Sequence, residues 1–532
     1  MERPAPEPAY VTVRGGQVRL FRTGAGPDLV VLGGLALGAA ATAASIAEAC
    51  RGWRVTVLEP PGIGGSADCE FGSPDDIADR LAEAIRLCGF GRMALVALDL
   101  AGTFAIPVAG RLARWPDAVC TIGMARARAW LASGRVPPPP GPTTDGTHLP
   151  ALWTFLRDLH VFEAGDPTQP ARDGDPIPSP TVLDATIVAA ATRPGGYTAL
   201  WSACADGMGR DTAEPRPRPF DDLDALARHL GGLDVPAGTA PLPRPSPGPP
   251  GGIWHDEIAT ARGRLHVRRA GHGAGQAPLV VLPTGGGSSA QFAPVVTGLA
   301  RDRDVVAVDY RGNGLSSRPD GPVTIESLAR DTLALLDALD IATADIWGSH
   351  TGALVGLELA VLAPDRVGRV VLEGPVFLSA EAQADILARY FPPLEPDPWG
   401  RHLQAAWHWR RDMFLFWPWY RVARDAARRL GLPTPRHLHD YTIGILESGP
   451  SYDGAYRAAF SYDTRARLPR LRRPALVCAG PNDMLIGGLD EVRRLSVPGV
   501  TVEVTPTTVW WPDPDPAAAA ATLDLYDAFL RG

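Results

Sequence analysis

No lysine occurs anywhere in the 532 residues, so the 51 basic side chains counted as Lys or Arg are all arginine. That absence excludes Schiff-base chemistry, a pyridoxal anchor and the Walker A lysine together. Cysteine is sparse as well: Cys50, Cys69, Cys88, Cys120, Cys204 and Cys478 form no C-x-x-C pair. They read as buried thiols of a reducing compartment, not as a disulfide framework. His437 and His439 are close in sequence but have no further ligands near them, so no metal site is expected. A net charge of -8 argues against nucleic acid or an anionic membrane as partner. The start, MERPAPEPAY, has neither the charged region nor the apolar run of a signal peptide. The uncharged run from Leu29 to Ile46 is built of Ala, Gly and Thr and fits a strand, a turn and a helix better than a membrane span. A cytoplasmic protein is the expectation.

What is present is a repeat. VRGGQVRLFRTGAGPDLVVLGG near the start returns as ARGRLHVRRAGHGAGQAPLVVLPTGG from Ala261. WRVTVLEPPGIGGS from Trp53 returns as RDVVAVDYRGNGLS from Arg303, and HLPALWTFLRD from His148 as HLQAAWHWRRD from His402. The copies lie about 250 residues apart, the length of a domain and far beyond that of a solenoid unit. They are unequal: PALVCAGPNDM and VTVEVTPTTVWWPDPDP, each a strand and a loop, are expected only in the second. GTAPLPRPSPGPPGG is a proline-rich tether that cannot build a core. The expected division is a truncated first domain over 1–235, a linker over 236–252, and a full second domain over 253–532 with a cap at about 380–465.

In both copies continuous apolar runs such as LVVLP and DVVAVDY alternate with amphipathic helical stretches. This pattern predicts an α/β fold with a mostly parallel sheet flanked by helices. Four motifs then fall in order in the second copy: LPTGGGSS (282–289), DYRGNGLSS (309–317), GSHTG (348–352) and PND ending at Asp483. Together they resemble the α/β-hydrolase superfamily. The resemblance implies two hydrolase-like units, a helical cap built around AWHWRRDMFLFWPWY, and hydrolysis of a small ester-like or carbonyl substrate without cofactor. GSHTG then stands at the nucleophile elbow G-x-S-x-G, where small residues must flank the central side chain. Here that central residue is His350.

The family's catalytic histidine should follow the last strand, but none occurs after His439; Val509 or Trp510 takes its place. A Ser-His-Asp relay in the usual positions is therefore excluded. Ser349 is one residue off the apex and is expected to point elsewhere. His350, at a helix N-terminus, is expected to remain neutral and act as base or nucleophile, oriented by Asp483 or Glu373. The amides of Gly286 and Thr351 are candidate oxyanion donors. Trp407, His408 and Arg411 in the cap are candidate substrate contacts, with a structural Arg411–Asp412 pair and tryptophan packing as the alternative. In the first copy, ALDLAG puts Asp99 at the apex, Glu59 replaces Asp309, and the copy reads as inert, packing against the second. Whether the chain forms a homo-oligomer is left open. A lyase or isomerase needing one base, a binding protein that has lost its triad, and a scaffold are the alternatives to hydrolysis.

Overall fold

A computed structural model describes residues 5–139, 141–171, 176–208, 216–249, 251–273, 275–507, 510 and 515–532. The chain divides into two compact units. One comprises Met1–Thr143, Thr147–Ser246 and Pro396–Arg401, the other Thr144–Gly146, Pro247–Glu395 and His402–Gly532.

The first unit holds strands β1 (Glu7–Val13), β2 (Gly16–Thr23), β3 (Asp28–Leu32), β4 (Arg54–Leu58), β5 (Met93–Leu98), β6 (Ala118–Ile122) and β7 (Arg218–Phe220). Their order across the sheet is β1-β2-β4-β3-β5-β6-β7. The pairs β1/β2 and β2/β4 are antiparallel and the rest parallel.

The second unit holds β8 (Trp254–Thr260), β9 (Gly263–Ala270), β10 (Leu279–Leu282), β11 (Val305–Val308), β12 (Ala344–Ser349), β13 (Val367–Glu373), β14 (Ala475–Ala479) and β15 (Val500–Val504). Read from β8, the order is β8-β9-β11-β10-β12-β13-β14-β15. Only β8/β9 and β9/β11 are antiparallel. Both are α/β-hydrolase-like units, each a mostly parallel sheet flanked by helices.

The two strand orders match position by position up to β7 and β14. This corrects the sequence reading, which gave the first copy no strand at that place. RPF pairs with β6 in parallel, as β14 pairs with β13. A run of three residues with a proline looks like tether, yet an edge strand needs hydrogen bonds on one side only and tolerates proline.

The central strands β10, β11, β12 and β14 are buried along their whole length. That is the burial that helices on both faces of a parallel sheet impose. Trp347 on β12 anchors the core of one face, its ring 5.1 Å from Phe292 and 6.1 Å from Tyr526. The helix Thr351–Leu362 is apolar apart from Thr351 and Glu358 and is buried over Thr351–Ala360, so it lies inside the unit. Between β13 and β14 run the helices Ala380–Arg389, Arg401–Leu415, Pro435–Leu446 and Asp453–Phe460, and the short helix Thr464–Arg467. All six cysteines are buried and unpaired. No helix among the described residues is long and apolar enough to cross a membrane.

Candidate active site

The tight joint between β12 and the helix that follows positions the site. His350 sits at the joint with φ 51° and ψ -105°, a conformation that non-glycine residues avoid unless their surroundings enforce it. Enforcement comes from its neighbours. A Cβ on Gly352 would lie 1.9 Å from the Leu282 carbonyl oxygen, and one on Gly348 would lie 2.2 Å from the Gly352 oxygen. Only hydrogen fits at either place, so strand and helix approach closely and the residue between them is turned outward. The His350 N–H donates to the Glu373 carbonyl at 2.7 Å, tying the joint to β13.

The imidazole stands between two oxygens. Nδ1 lies 2.9 Å from the Ser349 hydroxyl and Nε2 3.1 Å from a carboxylate oxygen of Asp483. The second approach has ion-pair distance but not good hydrogen-bond alignment. Asp483 is itself fixed by accepting the Leu485 N–H at 2.7 Å. Gly374 gives the ring its space, since a Cβ there would meet Nε2 at 2.9 Å. Burial opposes charge on His350, but Asp483 and then Glu373 outweigh it and raise its pKa above the ordinary value. Burial likewise opposes charge on Asp483, and the facing imidazolium more than offsets it, holding this carboxyl below its usual range. The helix N-terminus was expected to keep His350 neutral. The Asp483 carboxylate at close range prevails over partial charges on backbone amides.

Glu373 behaves differently. Burial pushes its pKa up to about 7, against the opposing hydrogen bonds from Tyr526 and Trp510 and the charge of His350. Its Oε1 accepts from the Tyr526 hydroxyl at 2.8 Å and the Trp510 indole N–H at 3.1 Å. Trp510, where the family's histidine was sought, thus lines the cavity as a hydrogen-bond donor to Glu373. Val509 lies outside the described residues. A carboxyl raised from 4.5 to about 7 contributes stability that is complete below 4.5 and lost as pH rises through about 7. Glu373→Gln keeps an acceptor for both donors, so its stability relative to wild type should increase between pH 5 and 8. The gain is up to about 3 kcal/mol at about 1.4 kcal/mol per pKa unit. Denaturation curves at the two pH values read it, and a pH-independent difference would contradict this account.

The cavity in front of His350 holds about 100 Å³. Ser349, His350, Thr351, Glu373 and Asp483 form its polar end; Tyr390, Phe414, Trp417, Tyr441, Tyr456 and Phe460 are among the rings that close it. Ser349 therefore does not point away, as its place beside the apex suggested. Its hydroxyl reaches the imidazole, and the residue lines the cavity.

Of the two proposed oxyanion donors, Thr351 lines the cavity and, as the first residue of its helix, has an N–H without an intrahelical acceptor. Gly286 does not line it: a Cβ there would meet the Tyr456 ring at 2.0 Å, and its carbonyl accepts from Arg410. Thr284, two residues earlier, lines the cavity instead.

None of the three cap residues is among those that line the cavity. Trp407 is buried away from the cavity lining. His408 is exposed, with Nε2 3.0 Å from the Gln404 side-chain nitrogen. Arg411 pairs with Asp412 at 3.3 Å. On the helix Arg401–Leu415 the face toward the cavity carries Met413 and Phe414. Arg428, on the loop beyond that helix, was missed by the sequence reading and lines the cavity.

Asp309 of DYRGNGLSS is structural. Fully buried, it accepts from His266 Nδ1 at 2.9 Å, Arg268 at 3.2 Å, the Ser289 N–H at 2.6 Å and the Leu315 N–H at 3.2 Å. It joins the LPTGGGSS loop to its own. Burial opposes its charge, but Arg268 and His266 hold the carboxyl far below the usual range.

In the first unit Asp99 also has positive φ, 39°. Its carboxylate turns back onto amides, accepting from Leu35 at 3.0 Å, Ala36 at 3.2 Å and Leu100. Among the described residues no three His, Cys, Asp or Glu side chains converge as a metal-binding group.

A parallel sheet of this order, with an outward-turned residue between strand and helix and an acid after a later strand, defines the hydrolase class of architecture. The α/β hydrolase fold profile matches residues 277–414. A protein of Pseudomonas savastanoi pv. phaseolicola named "Putative carbamate hydrolase RutD" is 33% identical over 224 residues, 40% of this chain and 77% of the relative. The chain belongs to the α/β-hydrolase fold family. It is also similar to a protein of the same name from Azorhizobium caulinodans, 27% identical over 49% of this chain and 92% of the relative. A third relative is 3-oxoadipate enol-lactonase 2 of Acinetobacter baylyi, 30% identical over 34% of this chain and 61% of the relative.

Proposed function

We propose that the second unit hydrolyses a small ester-like or carbonyl substrate without a cofactor, from an elbow that carries His350 in place of serine. The observation behind this reading is the imidazole held between the Ser349 hydroxyl and Asp483 at the floor of an aromatic cavity. With Nε2–H turned to Asp483, Nδ1 is the basic nitrogen. It takes a proton from water as the water oxygen bonds to the substrate carbonyl carbon. The oxygen that gains charge meets the Thr351 N–H at the helix N-terminus. The bond to the leaving group then breaks, and the leaving group receives the proton from the imidazolium. Asp483 supports that charged state, with Glu373 behind it. The relatives' names make carbamates and lactones, beside simple esters, the substrates to try.

Ser349 supports a second version of the same chemistry. Its hydroxyl already lies on Nδ1, so the chain Ser349, His350, Asp483 has the nucleophile, base and orienter of a triad, shifted by one residue. We further propose that the chain arose by duplication, with units near 1–235 and 253–532 joined by a proline-rich linker and a cap near 380–465. In the first unit Asp99 takes the amides that would otherwise meet a substrate oxygen, which suits a non-catalytic copy.

A panel of short-chain esters, lactones and carbamates, followed by product release, tests the hydrolytic reading. Turnover lost in His350→Ala is expected. Binding of panel members with no turnover would replace hydrolysis by ligand binding, and proton exchange or elimination without hydrolysis would favour a lyase. Mass spectrometry after a fluorophosphonate probe decides the Ser349 version: an adduct on Ser349 supports it, and an unlabelled protein leaves His350 acting on water.

A further inference from the structure

Arg428 is the one arginine among the described residues that line the cavity. Its Nη1 donates to the Met413 carbonyl at 2.5 Å. Its Nη2 is buried without a hydrogen-bond partner, and no carboxylate among the described residues pairs with the guanidinium. A buried, unsatisfied cationic donor is costly unless something supplied from outside completes it.

The carboxyl groups of the cavity wall are engaged elsewhere. Asp483 is turned to His350, 3.1 Å from Nε2, and forms no ion pair with Arg428. Glu373, raised to about 7, is largely protonated below that pH and is satisfied by Tyr526 and Trp510. Arg428 is thus left without a partner carboxylate among the described residues, in a cavity lined largely by aromatic and aliphatic side chains. Burial lowers its pKa and Asp483 supports it electrostatically, yet a guanidinium stays charged at any working pH.

We propose that the ligand of this cavity carries a carboxylate, which Arg428 receives while the carbonyl to be attacked lies at His350. This rests on the reading that the cavity is the substrate site. A planar guanidinium with free N–H groups matches a carboxylate in shape as well as charge. Size narrows the class. The cavity holds about 100 Å³, below the roughly 150 Å³ of an engineered cavity that takes up benzene. The ligand body is therefore a short chain or small ring, with the anion at one end and the hydrolysable carbonyl at the other.

Calorimetric titration of the full chain with pentanoate and with pentanamide, nearly identical in shape and differing in charge, tests this without requiring turnover. Wild type is expected to bind the acid at least tenfold tighter. Arg428→Gln should bring the two affinities within threefold, and Arg428→Lys should restore part of the preference. Thermal unfolding of each variant confirms that the fold is kept. Equal affinities in wild type, no binding of either compound, or a preference that survives Arg428→Gln would each overturn the proposal. Acid-selective binding in a protein that hydrolyses nothing would uphold it while removing the hydrolytic reading. Hydrolysis with no preference for anions would do the reverse.

Discussion

Replacing His350 with alanine is expected to lower kcat/KM by about 10²- to 10⁴-fold, the usual worth of a positioned general base, while the protein remains folded. The size follows from the absence of a substitute. Ser349 and Asp483 both reach the imidazole, and neither can act as the base near pH 7. Asp483 is held too acidic by its partner, and a serine hydroxyl needs a base of its own. His350→Gln should cost nearly as much, because it fills the space without offering a basic nitrogen. If His350→Ala retained wild-type kcat/KM on the best substrate of the panel, His350 would be a wall of the pocket. Circular dichroism and thermal unfolding on the same samples separate lost chemistry from lost structure.

Asp309→Ala is expected to destabilise the second unit by about 3–5 kcal/mol, the cost of removing one member of a buried charged cluster. It leaves Arg268 buried without its counter-charge and frees the Ser289 and Leu315 amides together. Asp309→Asn, which keeps an acceptor of the same shape, should cost less. Because the carboxyl is held far below its usual range, this contribution is complete above the unfolded pKa of about 3.9. It fades as pH falls below that value toward the folded one. Urea unfolding at pH 7 measures the loss, and a change under about 1 kcal/mol would mean the cluster is stabilised by hydrogen bonds alone.

How much of this was legible in the sequence depends on how local each constraint is. The joint at His350 was readable because Gly348 and Gly352 flank it at fixed spacing and tight turns demand small residues. Asp483 was readable from its place after an apolar strand. The cap was not. Trp407 and Arg411 share a face by spacing, but which face of a helix meets the cavity is decided by its neighbours. Met413 and Phe414 face the cavity, while Arg411 turns to Asp412. Gly286 illustrates the same limit: Tyr456, far away in sequence, covers the glycine that the motif nominated. Arg428 lies in a loop with no periodicity and no motif, so nothing short of tertiary packing marks it. The position of Ser349 is subtler still. Alternation along a strand turns it from the apex side, and the positive φ of His350 brings the imidazole back to it.

The pH dependence of kcat/KM, compared between wild type and Asp483→Asn on one hydrolysed substrate, tests the pairing of His350 with Asp483 most directly. Asparagine keeps the acceptor for the Leu485 amide and removes the charge that raises His350. In wild type, activity should fall as pH drops through a value above 6.5, because the base is then protonated. In Asp483→Asn the same limb should move to lower pH, with a reduced plateau. Coincident acid limbs in the two proteins would contradict the account.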